Sequence, residues 1–538
     1  MLGVAGCGGG ETISGGGSGG PSGSTFIFGR GADSVSLDPI NASDGESFRV
    51  TRQVFDTLLD FAPDSFELVP SLATKIPKAQ DSGRSYTLEL RDGVKFQDGT
   101  ELNADAVKFN WDRWRDTKNP YHKGGGSQTA NFGYYSFQFG GFDDDSVLEE
   151  IEVVDEYTVR FLLTEPLGPF VKNLAMSPFA IASPKAIKED VGGFWQNPVG
   201  TGPFKFVSWE QGSQITLETN ADWWGVELPR SEGGGKPDMK KVVVKSILDN
   251  TSRVAALTGG QLTAADGLVP DDISSVKKAG LGLEYRPPNT VGYLAMNNEV
   301  EPFDKVEVRQ AINMAIDMPN IVEAFLGDTG QVASNYFPPL LPYFDESIKP
   351  YPYDPEKAKQ MLADAGAENL ETELWYMPIP RPYMPDAKGI AQAMQQDLKK
   401  VGVSAKLVTY EWGTYLTKTG RGEHPMAILG WTGDNGDPDN FLNTNLNSAA
   451  ATKTSAYNIA YYKNPQLDSL LKKGQTTVVD AERQKAYYKA QEILHKDAPW
   501  VPIAYVKPPL GFQDTVKDYP ASPTGGEAFN TVVLSGGK

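Results

Sequence analysis

SYTLELRDGVKFQDGTELNADAVKFNWDRW, Ser85 to Trp114, holds a strand signal and a helix start in one short stretch. Tyr86, Leu88 and Leu90 alternate with polar neighbours, the period-2 pattern of a strand with one buried face. Asn103 stands just before ADAVKFNWDRW, where its side chain can accept from the first free amides of a helix. The same two signals recur away from this stretch. In YTVRFLL, Tyr157, Val159, Phe161 and Leu163 share one face. In DPEKAKQMLADAG, Asp354 suits the N-cap and Pro355 the first helical position; Ala358, Met361, Leu362 and Ala365 follow at helical spacing, and Gly366 can end the helix. Strands alternating with helices predict α/β domains. The breaks at GKPD (235–238) and RPPN (286–289) read as loops, too short to be linkers between independent domains.

With 538 residues the chain exceeds what one core can organise, so two or three domains are expected. A net charge of −19 repels phosphate backbones, and no Lys/Arg cluster with interleaved aromatics offsets it; nucleic acid is not an expected partner. No run approaches the roughly 18 apolar residues of a membrane span. Cys7 is the sole cysteine, which excludes intramolecular disulfides, Cys-rich zinc sites and iron–sulfur clusters. His122, His424 and His495 are too scattered for a histidine-based centre, so no metal and no cofactor are expected.

The chain opens MLGVAGCGGGETISGGGSGGPSGS, and Val4-Ala5-Gly6-Cys7 resembles a bacterial lipobox. That resemblance implies lipidation of Cys7 and a membrane-anchored, exported protein, in the periplasm or on the outer face of the envelope. Residues 1–24 then comprise a signal remnant and a flexible Gly/Ser tether. Six residues before Cys7 cannot supply the charged and apolar regions of a signal, so the lipobox reading expects a start upstream, and the alternative reading is an exposed cysteine in a disordered tail.

LGWTGDNGDPDNFLN, Leu429 to Asn443, crowds Asp434, Asp437 and Asp439 beside Trp431. Asn, Asp, Gly and Pro dominate plain turns. A calcium loop and a ligand anchor have similar compositions, although the EF-hand spacing fails from each of the three aspartates. Composition leaves these readings open.

RDGVKFQDGTELNADAVKFNWDR (91–113), NPVGTGPFKFVSW (197–209) and NADWWG (220–225) together resemble the large solute-binding proteins of ABC peptide importers, bacterial extracellular solute-binding protein family 5. Within that family the chain is most similar to the dipeptide-binding branch, through NPYHK (119–123), VGYL (291–294), KVEVRQA (305–311), YDPEKAK (353–359), RPYMPDA (381–387), VTYEWGTYL (408–416) and GWTGDNGDPDNF (430–441). The resemblance implies a two-lobed α/β periplasmic-binding-protein fold of type II with an extra α/β domain inserted in the first lobe. Lobe I would comprise 25–57, 182–293 and 507–538, the extra domain 58–181, and lobe II 294–506.

It also implies a site. A free peptide carries an ammonium and a carboxylate, so its receptor needs an acid and a base at fixed separation. The resemblance assigns Asp434 to the ammonium and Arg381 to the carboxylate, with Tyr383 beside Arg381 and Trp431 as a wall. Arginine suits this role because its fork donates two parallel hydrogen bonds. Gly433 and Gly436 would admit the ligand backbone closely, Ser43 and Gly45 align with a ligand-facing loop, and Asp437 and Asp439 would brace the turn. The implied function is capture of a dipeptide and delivery to a membrane permease by a monomeric receptor that does no chemistry. Longer oligopeptides, nickel chelates, haem or sugars are the alternatives within the family. A carbohydrate-active hydrolase is the remote one.

Overall fold

The computed structural model describes residues 25–42, 44–122, 132–453 and 456–535; Cys7, the tether and Ser43 lie outside them. A seven-stranded sheet runs in the order Gly282–Tyr285, Pro509–Phe512, Ala264–Ala265, Thr25–Arg30, Lys241–Ser246, Gln214–Thr219 and Phe204–Glu210. It therefore joins the beginning, middle and end of the chain. In Thr25–Arg30, Phe26 and Phe28 share the inward face and pack on Phe529, with ring centroids 5.0 and 5.3 Å away.

A six-stranded sheet follows the order Gly330–Val332, Trp500–Val506, Thr290–Met296, Met426–Thr432, Glu371–Trp375 and Ser404–Val408. Its strand TVGYLAM (290–296) is buried at every position, as expected of an interior strand covered on both faces. The expected division at 293/294 falls inside this strand, which pairs along its whole length with Met426–Thr432 of the same sheet. An unbroken apolar run carries no mark of where one lobe ends. The helix Pro355–Asp364 forms as read: Asp354 accepts from the Lys357 amide at 2.9 Å, and Gly366 takes φ +69° just past its end.

The opening stretch builds a third unit. Ser85–Glu89 pairs antiparallel with Thr158–Leu163, which pairs with Leu148–Asp155, placing Tyr86 opposite Phe161 and Leu88 opposite Val159. Asn103 caps the helix Ala104–Arg115, accepting from the Ala106 amide at 3.0 Å. This helix buries Trp111 and Trp114 among Phe139, Phe161 and Phe179. The third unit is bound to the first sheet and the segments that flank it by polar contacts. Arg113 pairs with Asp38, Asn110 donates to the Ala182 carbonyl at 2.8 Å, and Gln97 donates to the Phe204 carbonyl at 2.8 Å.

The chain crosses between the two large sheets at two adjacent places. The Arg286 amide donates to the Pro508 carbonyl at 3.0 Å, and the Val506 amide donates to the Thr290 hydroxyl at 3.1 Å.

Candidate ligand site

The site grows from the interior strand Met426–Thr432. Gly430 sits directly opposite Gly292 on the neighbouring strand, and the two leave a pit in the sheet surface. The RPYM turn fills it. A Cβ on Gly430 would meet the Tyr383 ring at 2.2 Å, and one on Gly292 would meet the Tyr383 carbonyl at 2.7 Å. Only glycine permits this approach. The turn is closed by paired Arg381 and Met384 backbones (3.1 and 2.8 Å), and the Arg381 guanidinium lies over the Trp412 ring, 5.3 Å from its centroid. Its Nε is buried without a hydrogen-bond acceptor. Burial raises the Tyr383 phenol above its ordinary range, while the nearby Arg381 pulls it down.

Two residues past Gly430 the strand ends and leads into the aspartate turn, whose three carboxylates part ways. Asp437 is fully buried and receives both terminal nitrogens of Arg483 at 2.9 and 2.8 Å, which outweighs its burial and holds the carboxyl below the usual range. It also accepts from the Asp439 amide at 3.0 Å. Asp439 receives the Asn443 amide, and its carboxyl is pushed up to about 6 by burial and by Asp437. These two brace the turn.

Asp434 is different. It accepts from the Asn440 amide at 3.0 Å and the Tyr134 hydroxyl at 3.3 Å, and burial pushes its carboxyl up to about 6. Among the described residues neither Asp434 nor Arg381 forms an ion pair. Asn440 also fixes the backbone here, because its carbonyl oxygen accepts from the Asp434 amide (3.0 Å) and the Trp431 indole (3.1 Å). Trp431 meets Tyr457 edge to face at 6.0 Å, and Tyr134 meets Phe48 in the same way at 5.5 Å. Phe48 lies on the helix Gly45–Val54, where Gly45 faces open space. Asp434 thus bonds to Tyr134 of the inserted unit, which in turn packs on Phe48 of the first lobe.

The absent side chains of Gly433 and Gly436 are accounted for by protein contacts: Phe441 and Asn289 crowd Gly433 (2.5 and 2.7 Å from a would-be Cβ), and Phe66 crowds Gly436 (2.4 Å). Ser43 and Cys7 lie outside the described residues. Sequence reading missed Tyr134, Asn440 and Tyr457. Asn440 was within reach, being adjacent to Asp439 in the quoted motif, but Tyr134 is 300 positions from its partner.

Among the described residues no cluster of His, Cys, Asp or Glu could hold a metal, and no helix is long and apolar enough to cross a membrane. His122 is packed instead, its Nδ1 2.9 Å from the Arg113 carbonyl and its ring edge-on to Phe132.

Residues 67–453 match the family described as bacterial extracellular solute-binding proteins, family 5. The Escherichia coli (strain K12) dipeptide-binding protein is 36% identical, with 89% of each chain covered. The Haemophilus influenzae haem-binding protein A is 35% identical over 96% of this chain and 93% of its own. Among solved structures, an ABC transporter-associated periplasmic binding protein from Helicobacter pylori in complex with the peptide STSA superposes with a TM-score of 0.82 at 33% identity, covering 95% of this chain and 98% of that one. Sheets, site and relatives agree: this chain belongs to the family 5 bacterial extracellular solute-binding proteins and has their two-lobed type II α/β fold with an inserted third unit.

Proposed function

We propose that the protein is the receptor of an ABC importer, that it captures short peptides outside the membrane, and that it does no chemistry on them. The observation that carries this reading is the pair of uncompensated charges in one lobe. Among the described residues Asp434 and Arg381 each lack a protein counter-ion, while the neighbouring Asp437 has one. A buried charge without a partner is costly, and a zwitterionic ligand supplies both partners at once. In this reading Asp434 takes the ammonium and Arg381 the carboxylate. Tyr383, Trp431 and Gly433 line the ligand between them, Gly45 approaches from the first lobe, and Ser43, outside the described residues, is assigned to the site by the family resemblance alone. Strand-like pairing with the peptide backbone gives affinity without reading side chains.

The domain division proposed for this mechanism is 25–57, 182–289 and 507–538 for lobe I, 58–181 for the inserted domain and 290–506 for lobe II. Delivery goes to membrane permease subunits, the receptor works as a monomer, and Cys7 anchors it by lipid at the outer face of the membrane or in the periplasm.

Relatives of similar identity are named for dipeptides and for haem, and a related structure holds a four-residue peptide. Ligand class and length are therefore the quantities to test. Calorimetric titration with Ala-Ala, tri- and tetra-alanine, haem and a disaccharide separates them. This reading expects tight binding of Ala-Ala and progressive loss with length, because a longer chain carries its carboxylate past Arg381. Tight binding of haem or the disaccharide with none of any peptide would overturn it.

A further inference from the structure

The aspartate turn meets more than a ligand. The segment Glu165–Asn173 of the inserted unit lies across it. Lys172 donates to the Gly436 carbonyl, and the Asn173 side-chain oxygen accepts from the Asn435 amide group at 2.9 Å, both asparagines being fully buried. The strap continues along the same lobe: the Gly168 amide donates to the Gln475 carbonyl at 2.6 Å, and Glu165 pairs with Lys472 at 2.5 Å. Gly168 has no room for a side chain, since a Cβ would lie 2.8 Å from both the Arg483 Nε and the Thr477 carbonyl. Arg483 is the residue that grips Asp437. Phe66, also from the inserted unit, covers Gly436, whose φ of +66° turns its backbone toward the strap. Gly436 is where a left-handed backbone is required, and the Lys172 contact is what it makes available.

The inserted unit is bound to the first lobe by the polar contacts of Arg113, Asn110 and Gln97 and so moves with it. Every strap contact named above therefore crosses the cleft and breaks when the lobes part.

We propose that Glu165–Asn173 is a closure latch that engages the same turn that carries Asp434, with Lys172 and Asn173 as positioning residues for ligand retention. One face of the turn reads the ligand through Asp434, while Asn435, Gly436 and Asp437 read the position of the opposite lobe. The turn that holds the ammonium, already braced within its own lobe by Arg483 and Asn440, thus gains the strap contacts only when the cleft is shut. This inference rests on the peptide-receptor reading.

The test uses the full chain, with Lys172→Met, which removes the latch ammonium, and Gly168→Ala, which wedges the closed contact sterically. Ala-Ala association and dissociation rates are measured by stopped-flow tryptophan fluorescence, and thermal midpoints are taken with and without dipeptide. The latch predicts that each variant raises koff by about ten-fold or more, leaves kon within about three-fold, and keeps the unliganded midpoint while shrinking the ligand-induced rise. Either variant alone suffices if the other fails to fold. Wild-type protein that binds no dipeptide overturns the ligand reading and the latch together. Wild-type binding with unchanged koff in the variants, or an unliganded midpoint that falls as far as the liganded one, overturns the latch alone, because the contact is then permanent packing.

Discussion

Asp434→Asn isolates charge from shape. In the native turn the Asn440 amide group donates to one carboxylate oxygen at 3.0 Å, and Asn440 cannot flip, because its own oxygen already accepts from the Asp434 amide and the Trp431 indole. The new asparagine must therefore turn its oxygen to Asn440 and its NH2 toward Tyr134 and the cleft. A donor then faces the ligand ammonium where an anion stood. Truncating one partner of a buried, hydrogen-bonded charge pair costs about 2–5 kcal/mol, and the lower end alone weakens Kd about 30-fold. Calorimetry with Ala-Ala at pH 7 measures this.

A pH series adds a signature that lost packing would not give. The Asp434 carboxyl is pushed up to about 6, so the ionised form needed for binding is present above that value and is lost as pH falls through it. Wild-type Kd should rise about ten-fold per pH unit below about 6, and rise again above about 8 as the peptide's own ammonium deprotonates. Asp439 and Asp56 are also pushed up to about 6, but their carboxylates bond to Asn443 and to Thr201 and Trp224, not to Asp434 or its partners Asn440 and Tyr134. The acid limb should therefore vanish in the Asp434→Asn variant. A variant Kd within three-fold of wild type, or an unchanged acid limb, refutes the assignment.

Arg381→Ala should weaken Ala-Ala by about 2–5 kcal/mol by leaving a buried carboxylate unpaired, and Arg381→Lys should recover only part of it because the fork is lost; calorimetry on both checks this. Gly430→Ala should cost about 1–3 kcal/mol of stability and also weaken binding, since its Cβ would meet the Tyr383 ring at 2.2 Å and lift the turn that aims Arg381; urea unfolding and titration read the two effects. Asp437→Asn should destabilise the protein by about 3–5 kcal/mol by stranding the buried Arg483 guanidinium. Because the Asp437 carboxyl is held below its ordinary value, the stability it contributes is present above about pH 4 and is lost as pH falls through the lowered folded value. Urea unfolding of the variant across pH 3 to 7 should lack that step.

Local chemistry was readable where it is written locally. Asn103 and Asp354 cap the helices they precede, because a cap depends on a residue and the amides two or three positions on. Period 2 in Tyr86–Leu90 and Tyr157–Leu163 predicted which faces meet, and the register pairs them. Asp434 and Arg381 were singled out by the resemblance of their short motifs to the family, since composition alone left the aspartates open between turn, calcium loop and anchor. What escaped depends on the fold as a whole. Tyr134 reaches Asp434 across the cleft, and no periodicity links positions so far apart. Asn289 bonds both to Gly433 and to the Pro523 carbonyl at 3.2 Å, joining the lobes from what reads as a loop. Gly433 and Gly436 were expected to admit ligand backbone, and the neighbours that a Cβ would meet there are Asn289, Phe441 and Phe66. Composition says that a glycine is needed without saying which neighbour needs it.

The central claim is a zwitterion held between Asp434 and Arg381, and a crystal structure of the protein with Ala-Ala tests it most directly. The peptide nitrogen should lie about 2.8 Å from an Asp434 carboxylate oxygen, with the terminal carboxylate on the Arg381 fork. A dipeptide bound in the opposite direction, or bound without touching either side chain, would contradict the account.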